Sequence, residues 1–305
     1  SLAGSFIYNY WHVFIFFFIM VFLWITLYRK INLKKYTPKY SFKFISFSTI
    51  TSLMIIFLCV VGMRGGLGNA TRPINMVDAH RFVKKGIHAD FVLNSPFCFI
   101  RTFNKNHFNK KYFMKESEVD KLLNPVRKVN DSIYSKPNVM ILVMESFGRE
   151  YIGAFNKSRK IENYVSYTPF LDSLSNHSLI FTNAFANGRQ SIEALPSILA
   201  SVPSFKVPFT SSPYSNQEIQ SLVSVFKDKG YSTSFFHGAP NGSMGFLGLS
   251  NILGFDNYYG KNEFNDNSLY DGYWGIWDEP FLNYVKNETD KVVEPFLSAF
   301  FSLSS

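Results

Sequence analysis

Two long runs without charged residues constrain this chain more than any other feature. Residues Tyr8 to Tyr28 and Phe44 to Met63 contain no Lys, Arg, Asp or Glu. At about 1.5 Å rise per helical residue, each run is long enough to cross the hydrocarbon core of a bilayer. The stretch 29–43 between them carries six basic residues and no acidic residue. The sequence therefore predicts two transmembrane helices joined by a cytoplasmic basic loop, with both chain ends outside.

Other interpretations of the apolar runs fit less well. A buried helical hairpin of a soluble protein would not require a purely basic loop between two uncharged runs. The first run lacks the preceding basic segment and the following cleavage site of a secretory signal peptide. His12 stands beside Trp11 and is expected at the membrane interface rather than in a metal site. Cys59 and Cys98 lie in separate segments without a CxxC pattern, so neither a disulfide nor that kind of structural zinc site is expected.

Charge divides the chain into two unequal parts. Residues 1–136 carry 20 Lys and Arg against 6 Asp and Glu, whereas residues 137–305 carry 11 against 16. The N-terminal part is therefore at +14 and the C-terminal part at −5, which together give the net charge of +9. A basic region next to membrane spans suits anionic lipid head groups, and the sequence shows no nucleic-acid motif.

Three regions follow from these patterns. Residues 1–63 form the predicted membrane anchor, 64–136 a juxtamembrane connector, and 137–305 the beginning of a catalytic domain. The connector shows amphipathic helical spacing around 89–103 and 116–129. Its basic residues are expected near lipid head groups, although a solvated linker explains the same pattern.

From Asn138 onwards the pattern is typical of an α/β domain. The run Asn138 to Glu145, NVMILVME, predicts a strand that is buried on both faces, as in a parallel sheet covered by helices. The following segments alternate: predicted helices are 169–178, 191–202, 217–229 and 277–285, predicted strands are 178–186, 231–237 and 295–305, and 251–260 is rich in turns. The predicted fold is therefore a mostly parallel sheet sandwiched by helices.

Polar residues at the strand ends are the candidates for chemistry. Glu145 ends the first strand, the loop 187–191 follows the next, and His237 ends another. In such a sheet these points converge on one edge. Glu145 suits a divalent metal ion, and Ser191 begins a helix whose N–H groups favour an anion such as phosphate. A metal-activated Ser191 hydroxyl could attack phosphorus, and Arg189 could neutralise phosphate oxygens.

Each of these residues also has a purely structural interpretation. Ser191 could simply cap its helix, and Glu145 could be a strand end held by a salt bridge. His237 could be a partly buried histidine whose hydrogen bonds are satisfied. Asp172 and Glu193 are expected on solvated helix surfaces.

Longer motifs resemble a known family. NVMILVMESFGREYIGAFN, TPFLDSLSNHSLIFTNAFANGRQSIEALPSILASVPS, FFHGAPNGSMGF and GFDNYYG are similar to segments of the lipoteichoic acid synthase-like phosphoglycerol transferases. These enzymes belong to the sulfatase/alkaline phosphatase superfamily, and the resemblance covers most of 136–305. The two-span anchor and the RGG and TRPIN stretches of the connector fit the same family.

The resemblance implies a role for each candidate. Glu145 matches the first metal-binding carboxylate, and Ser191 matches the nucleophile that also contacts the metal. His237 matches the His-Gly turn near the substrate pocket, and Arg189 is the second expected substrate-binding residue because it lies two positions before Ser191. One divalent ion, Mn²⁺ or Mg²⁺ in preference to Zn²⁺, is implied. Ser191 would take phosphoglycerol from phosphatidylglycerol, release diacylglycerol, and pass the group to a glycan or glycolipid acceptor outside the cytoplasmic membrane.

The sequence departs from the family pattern in two places. Counted from His237, the family's Asp, Trp and Arg that hold glycerol phosphate are replaced by Ala239, Met244 and Phe246. The sequence also contains no Asp-His dipeptide, which supplies the family's remaining metal ligands, so these ligands and a substrate histidine are expected beyond residue 305. The chain is therefore expected to be a C-terminally truncated piece with half a metal site.

Three rival functions stay open at this stage. A phosphoethanolamine transferase or a phosphatase of the same superfamily would use the same kind of nucleophile. Sulfatase activity is disfavoured because Ser191 is not followed by the x-Pro-x-Arg sequence that formylglycine conversion needs. A catalytically inactive membrane-bound binding domain is the alternative from a different class. Nucleic-acid binding is not expected.

Overall fold

A computed structural model describes residues 11–30, 41–64, 74–103, 112–123, 135–156, 162–204, 207–217 and 219–303. The described residues divide into two compact units, Ser1–Cys59 and Val60–Ser305. The first unit contains helix α1, Trp11–Lys30, and most of helix α2, Phe42–Arg64. The predicted domain boundaries at 63 and 136 remain predictions.

The apolar helices agree only in part with the predicted pair of spans. Among the described residues, one helix segment of 22 residues, Phe42–Met63, is long and apolar enough to cross a membrane, and none of it is buried. Helix α1 covers most of the first predicted span, but residues 8–10 lie outside the described residues and so does the side chain of His12. The first span therefore stays a prediction. Cys59 and Cys98 are both free.

The second unit contains a four-stranded parallel sheet. Its strands are β1 Val139–Val143, β2 Ser232–Phe236, β3 Asn257–Tyr259 and β4 Phe296–Phe301, in the order β1-β4-β2-β3. β4 pairs in parallel with β1 on one side and β2 on the other, with Val143 opposite Phe301. Helices pack around this sheet, so the predicted α/β fold is confirmed.

Helices supply the rest of the second unit. In chain order they are α3 Gly86–Val92, α4 Ser95–Thr102, α5 Glu116–Leu122, α6 Pro169–Ser175, α7 Ser191–Ala200, α8 Leu222–Asp228, α9 Phe246–Leu253, α10 Lys261–Phe264 and α11 Asp278–Thr289. Short 3-10 helices occur at Met76–Arg81, Arg149–Tyr151, Gly153–Phe155, Phe209–Ser211, Pro213–Asn216, Ser243–Gly245 and Asn267–Leu269. The second predicted connector helix reaches only Leu122, because 124–129 lies outside the described residues.

The sheet core is aromatic. Phe235, Phe246 and Phe301 lie in one fully packed cluster, and Ile192 and Leu199 of α7 belong to the same cluster. Burying side chains of this size is the main stabilising contribution to a domain of this kind. Because its apolar side packs there, α7 is fixed against the sheet with its first residue, Ser191, half-exposed.

The structure corrects several details of the predicted elements. The predicted strand 178–186 is not a strand: it is irregular, and Phe181 and Phe185 are 75% and 92% exposed. β1 is not buried on both faces either, because its alternate residues Met140 and Leu142 are exposed. Among the described strands, β1 lies at one edge of the sheet. The turn-rich segment 251–260 includes the end of α9 and all of β3.

Candidate functional site

Glu145 follows strand β1 at the carboxyl edge of the sheet. The N–H of Ser302, the residue after β4, donates to the carbonyl of Val143 over 3.0 Å. In return the N–H of Glu145 donates to the Ser302 hydroxyl over 2.6 Å. Ser146 then adopts a left-handed conformation at φ 56°, which turns the chain away from the sheet. Glu145 is thus held at a fixed point on the edge where ligands bind in this class of fold.

His237 follows strand β2 at the same edge and is completely buried. Its Nδ1 lies 3.1 Å from the carbonyl oxygen of Phe301, so Nδ1 carries the proton and donates. Nε2 then holds a lone pair, and the described residues offer it no hydrogen bond. The ring packs edge-on against both Phe246 and Phe301, at centroid distances of 5.0 and 5.6 Å.

The protonation state of His237 follows from its surroundings. Burial lowers the pKa of His237 to about 4, although the hydrogen bond with Phe301 opposes this shift. The imidazole is therefore neutral at neutral pH. A neutral ring with an unused Nε2 lone pair is a hydrogen-bond acceptor, but among the described residues this atom is buried and is not open to solvent.

The start of helix α7 is held by Glu193 rather than by Ser191. The Glu193 carboxylate accepts from the N–H groups of Arg189 and Gln190, over 2.8 and 3.1 Å, and from the Ser204 hydroxyl over 2.6 Å. The N-cap is Gln190, and Ser191 is the first helical residue. The interpretation of Ser191 as the N-cap is therefore wrong.

Glu193 also limits where an anion can bind. It is buried, and the hydrogen bond from Ser204 lowers the pKa of Glu193, with the N–H groups of Arg189 and Gln190 acting in the same direction. A buried negative charge thus takes the two loop amides that an incoming phosphate would otherwise use. Gly188 permits this arrangement, because a Cβ there would lie 2.5 Å from Glu193 Oε2. The expectation that Glu193 is solvated is wrong.

Asp172 is likewise structural rather than solvated. Its Oδ1 accepts from the N–H of Ala154 over 2.7 Å and from the Thr168 hydroxyl over 3.2 Å. The same hydroxyl accepts from the N–H of Gly153 over 3.1 Å. Asp172 therefore ties α6 to the 3-10 helix Gly153–Phe155.

The predicted site residues fall into two groups. Glu145 and His237 are both joined to the end of β4, through Ser302 and Phe301. Ser191 and the exposed Arg189 begin α7, which shares the hydrophobic core with the sheet. Among the described residues no hydrogen bond or ion pair joins the two groups. Their roles in catalysis remain predictions.

These residues do not form a complete binding site for a divalent metal ion. Within the described ranges no group of three His, Cys, Asp or Glu side chains lies close enough to hold an ion. Glu145 offers one carboxylate and Ser191 one hydroxyl, which is fewer than the four or more ligands that Zn²⁺, Mg²⁺ or Mn²⁺ take. The residues present do not fit the ion on their own.

The positions that replace the family's glycerol-phosphate residues also have structural explanations. Phe246 is fully buried and packs on Phe235, with ring centroids 6.2 Å apart, and Ala239 is 2% exposed. Met244 has a left-handed backbone at φ 51°. Phe246 and Ala239 face the core, so a polar head group would have to be held by other residues.

Sequence reasoning missed two residues that shape the site. Ser302 fixes the backbone of Glu145, but a serine after a strand has no distinctive sequence signal. Glu193 stands three residues after Gln190, which is capping-box spacing, but Gln is not the usual first member and Ser191 was the expected cap.

The chain was compared with known proteins. No curated protein matches the chain. Among solved structures, an alkaline phosphatase superfamily protein from Vibrio parahaemolyticus is 23% identical, covering 55% of this chain and 40% of its own, with a TM-score of 0.47. The lipoteichoic acid synthase LtaP from Listeria monocytogenes is 25% identical, covering 55% and 41%, with a TM-score of 0.46.

A third solved structure is the C-terminal periplasmic domain of EcEptC from Escherichia coli in complex with Zn, which is 19% identical, covers 57% of this chain and 45% of its own, and has a TM-score of 0.40. The chain thus spans less than half the length of these structures. The Sulfatase family model matches residues 137–305, which is more than half of the chain. With the parallel sheet and its polar carboxyl edge, this match shows that the chain belongs to the Sulfatase family.

Proposed function

We propose that this chain is part of a membrane-anchored phosphoglycerol transferase that uses Ser191 as its nucleophile. Membership of the family supports an enzyme of the alkaline phosphatase superfamily that transfers or hydrolyses phosphoryl groups. The start of α7 supports the assignment of Ser191 as the nucleophile. Glu193 and Gln190 make the capping interactions there, so the half-exposed Ser191 hydroxyl is not needed to hold the helix.

The reaction would proceed in two displacements at phosphorus. First, a bond forms between Ser191 Oγ and the phosphorus of phosphatidylglycerol while the bond from phosphorus to the diacylglycerol oxygen breaks. The serine loses its proton, and the leaving oxygen gains one to become diacylglycerol. A hydroxyl of a glycan or glycolipid acceptor then attacks the same phosphorus, the bond from phosphorus to Ser191 Oγ breaks, and the acceptor's proton returns to the serine.

The chain's own groups have separable tasks in this scheme. Arg189 is exposed beside Ser191, where a guanidinium can pair with phosphate oxygens. We assign His237 to the substrate pocket through its unpaired Nε2, which is buried among the described residues and must become accessible before it can accept from a glycerol hydroxyl. Glu193 keeps the nucleophile's turn in place and, through its charge, disfavours a phosphate that binds too deep in the loop.

The proposal includes one divalent ion, with Glu145 as a ligand. When bound, such an ion would lower the pKa of a coordinated hydroxyl and neutralise phosphate charge. Glu145 has a fixed backbone at the sheet edge, which suits a ligand. The further ligands must come from segments outside the described residues, and Mn²⁺ or Mg²⁺ is proposed ahead of Zn²⁺.

The membrane location rests on α2 and on charge. Helix Phe42–Met63 can span a bilayer, and the +14 charge of residues 1–136 complements an anionic lipid donor. We place the catalytic domain on the outer side of the bacterial cytoplasmic membrane, in a multi-pass protein, because the basic loop 31–43 would remain in the cytoplasm.

The test uses the full-length protein in vesicles that contain labelled phosphatidylglycerol. Wild-type protein should release diacylglycerol, and Ser191→Ala should lose this activity by about 10³-fold or more, since a nucleophile is removed. Ser201→Ala, at the exposed opposite end of α7, is the matched control and should retain activity. Mass spectrometry of the Ser191 peptide should show a phosphoglycerol adduct. Turnover by Ser191→Ala would refute the nucleophile.

The same assay separates the rival functions. Preferential turnover of labelled phosphatidylethanolamine would indicate a phosphoethanolamine transferase, which the replacement of the head-group residues by Ala239, Met244 and Phe246 leaves open. Release of free glycerol phosphate without transfer would indicate a hydrolase. Absence of turnover with every donor, in metal-supplemented full-length protein, would favour an inactive binding domain.

A further inference from the structure

We propose that the connector carries a membrane-docking face that binds the surface of a bilayer containing anionic phospholipid. We call it the aromatic-basic surface. Its apolar members are exposed side chains of α3, α4 and the residues that precede or follow them: Phe82, Ile87, Phe91, Phe99, Ile100 and Phe103. An exposed group of large apolar side chains on a folded segment marks an interaction site. The proposal rests on the membrane anchorage proposed above, but not on any catalytic role.

Helix α3 has one bound face and one free face. Ala89 is fully buried, and the carboxylate of Asp90 accepts a hydrogen bond of 2.8 Å from Asn216. Ile87 and Phe91 lie one turn apart on the other face, and Phe91 is 88% exposed. The helix is therefore held in place while it presents its apolar face outward.

Helix α4 is likewise held by hydrogen bonds on one side. Asn94 caps it by accepting from the N–H of Phe97, and Arg101 donates to the carbonyl of Ile74. Phe99 and Phe103 are one turn apart, 62% and 64% exposed, with ring centroids 4.9 Å apart. No residue of α4 is buried. The pair is a preformed apolar ridge rather than a set of unrelated exposed residues.

Charge identifies the occupant. The described residues 81–103 contain four basic residues, Arg81, Lys84, Lys85 and Arg101, and one acidic residue, Asp90. Lys85 and Lys115 are exposed within the described residues. Aromatic side chains interleaved with Lys and Arg favour the interface of an anionic membrane, where the rings enter the head-group layer and the cations meet phosphate. A protein interface would instead be depleted in Lys at its centre.

The chain itself keeps the surface close to a membrane. Helix α2 ends at Arg64, and Phe82 follows 18 residues later. A lipid surface is therefore always within reach, whereas a soluble partner would have to be recruited.

The test measures the depth of single labelled positions. In full-length protein with Cys59→Ala and Cys98→Ala, we would introduce Phe91→Cys, Phe99→Cys or Phe103→Cys singly and attach a spin label. The protein is reconstituted into vesicles of phosphatidylcholine alone or of phosphatidylcholine with phosphatidylglycerol. Accessibility to oxygen reports lipid, and accessibility to a water-soluble nickel chelate reports water. Ile55→Cys in α2 is the control for insertion, and Asn287→Cys on the exposed side of α11 is the control for water.

We expect the three labels to shift from nickel toward oxygen accessibility relative to Asn287→Cys, with a larger shift when phosphatidylglycerol is present. Lys85→Gln with Lys115→Gln should remove the dependence on phosphatidylglycerol. Water accessibility at all three positions, with Ile55→Cys in lipid, would overturn the proposal and leave the anchorage intact. Protection from both reagents would overturn it in favour of a protein partner or a second copy. A water-exposed Ile55→Cys would show that the anchorage itself had failed, and the docking with it.

Discussion

The N–H of Glu145 donates a hydrogen bond of 2.6 Å to the hydroxyl of Ser302, so that the residue after β4 fixes the backbone after β1. The two strands are parallel neighbours, with Val143 opposite Phe301. This side-chain hydrogen bond therefore continues the pairing of β1 and β4 beyond their last backbone hydrogen bond, between Ser302 and Val143. Because Ser302 is 2% exposed, water cannot easily replace its hydroxyl.

Ser302→Ala should lower the free energy of unfolding by about 1–3 kcal/mol, since it leaves a half-buried N–H without its partner. Urea denaturation of the full-length protein in detergent measures this loss. If Glu145 is a metal ligand, the same variant should also weaken metal binding, because the carboxylate loses its fixed backbone. Ser268→Ala, on the exposed 3-10 helix Asn267–Leu269, is the control for a serine hydroxyl outside the sheet edge. Equal stability of Ser302→Ala and wild type would contradict the role of this bond.

Glu193→Gln tests the hydrogen bonds that the Glu193 carboxylate accepts at the start of α7. The hydrogen bond from Ser204 lowers the pKa of Glu193 in the folded state. A depressed carboxyl pKa contributes stability that is present above the unfolded value of 4.5 and is lost as the pH falls through the folded value. Glu193→Gln should therefore be less stable than wild type at neutral pH, by about 1–3 kcal/mol, with the difference shrinking in acid.

Denaturation of both proteins at a series of pH values measures this effect. Glu279→Gln, in the first turn of α11, is the matched control and should follow wild type. A constant difference between Glu193→Gln and wild type at every pH would show that Glu193 acts through shape rather than through its charge.

The sequence predicts the elements that have a clear periodicity of apolar residues or a residue that ends a helix. Strand β2, strand β4 and helix α7 lie where the pattern places them, and Gly230 ends its helical segment with a left-handed φ of 84°. Such signals are local, because the pattern of apolar residues and a glycine stop act within a few residues.

Non-local features were not predictable in the same way. The segment 178–186 alternates like a strand, but a strand forms only where a partner offers hydrogen bonds, and none is paired with it among the described residues. Strand β3 has three residues and depends on β2 for its pairing. Glu193 was misjudged because helical spacing alone says nothing about the loop that folds over the first turn. The position of Glu145 was inferable from strand order, whereas its link to Ser302 required the structure.

Gly248→Ala examines how the connector is attached to the sheet domain. The 3-10 helix Met76–Arg81 packs on α9, and a Cβ at Gly248 would overlap the carbonyl oxygen of Val77. Because this neighbour is backbone, it cannot move without displacing the connector. We expect the free energy of unfolding to fall by about 1–3 kcal/mol. We also expect faster tryptic cleavage after Lys84 and Lys85. Gly62→Ala, where nothing lies within 4 Å, is the matched control and should leave both measurements unchanged. Normal proteolysis of Gly248→Ala would mean that the connector tolerates the displacement.

His80 should make the attachment of the connector sensitive to acid. It is buried, its Nε2–H donates to Asn216 Oδ1 over 2.7 Å, and its Nδ1 has no hydrogen-bond partner among the described residues. Burial lowers the pKa of His80 below its ordinary value of 6.5, against the opposing effects of Asn216 and of the Asp90 carboxylate. The other charged groups of this region are Asp78 and Arg81 on the same 3-10 helix and Lys84 beside it.

Protonation of His80 would place a second N–H, on Nδ1, in a buried position without an acceptor. Since the folded pKa is depressed, the contribution of His80 to stability is complete above 6.5 and is lost as the pH falls through the folded value. Tryptic cleavage after Lys84 should therefore accelerate as the pH is lowered below 6.5, once corrected for the pH dependence of trypsin on a peptide. His80→Gln keeps a side-chain donor but cannot titrate, so its cleavage rate should be independent of pH over the same range. His88→Gln, an exposed histidine on α3, is the control and should keep the wild-type dependence. The same pH dependence in His80→Gln would assign the effect to another group.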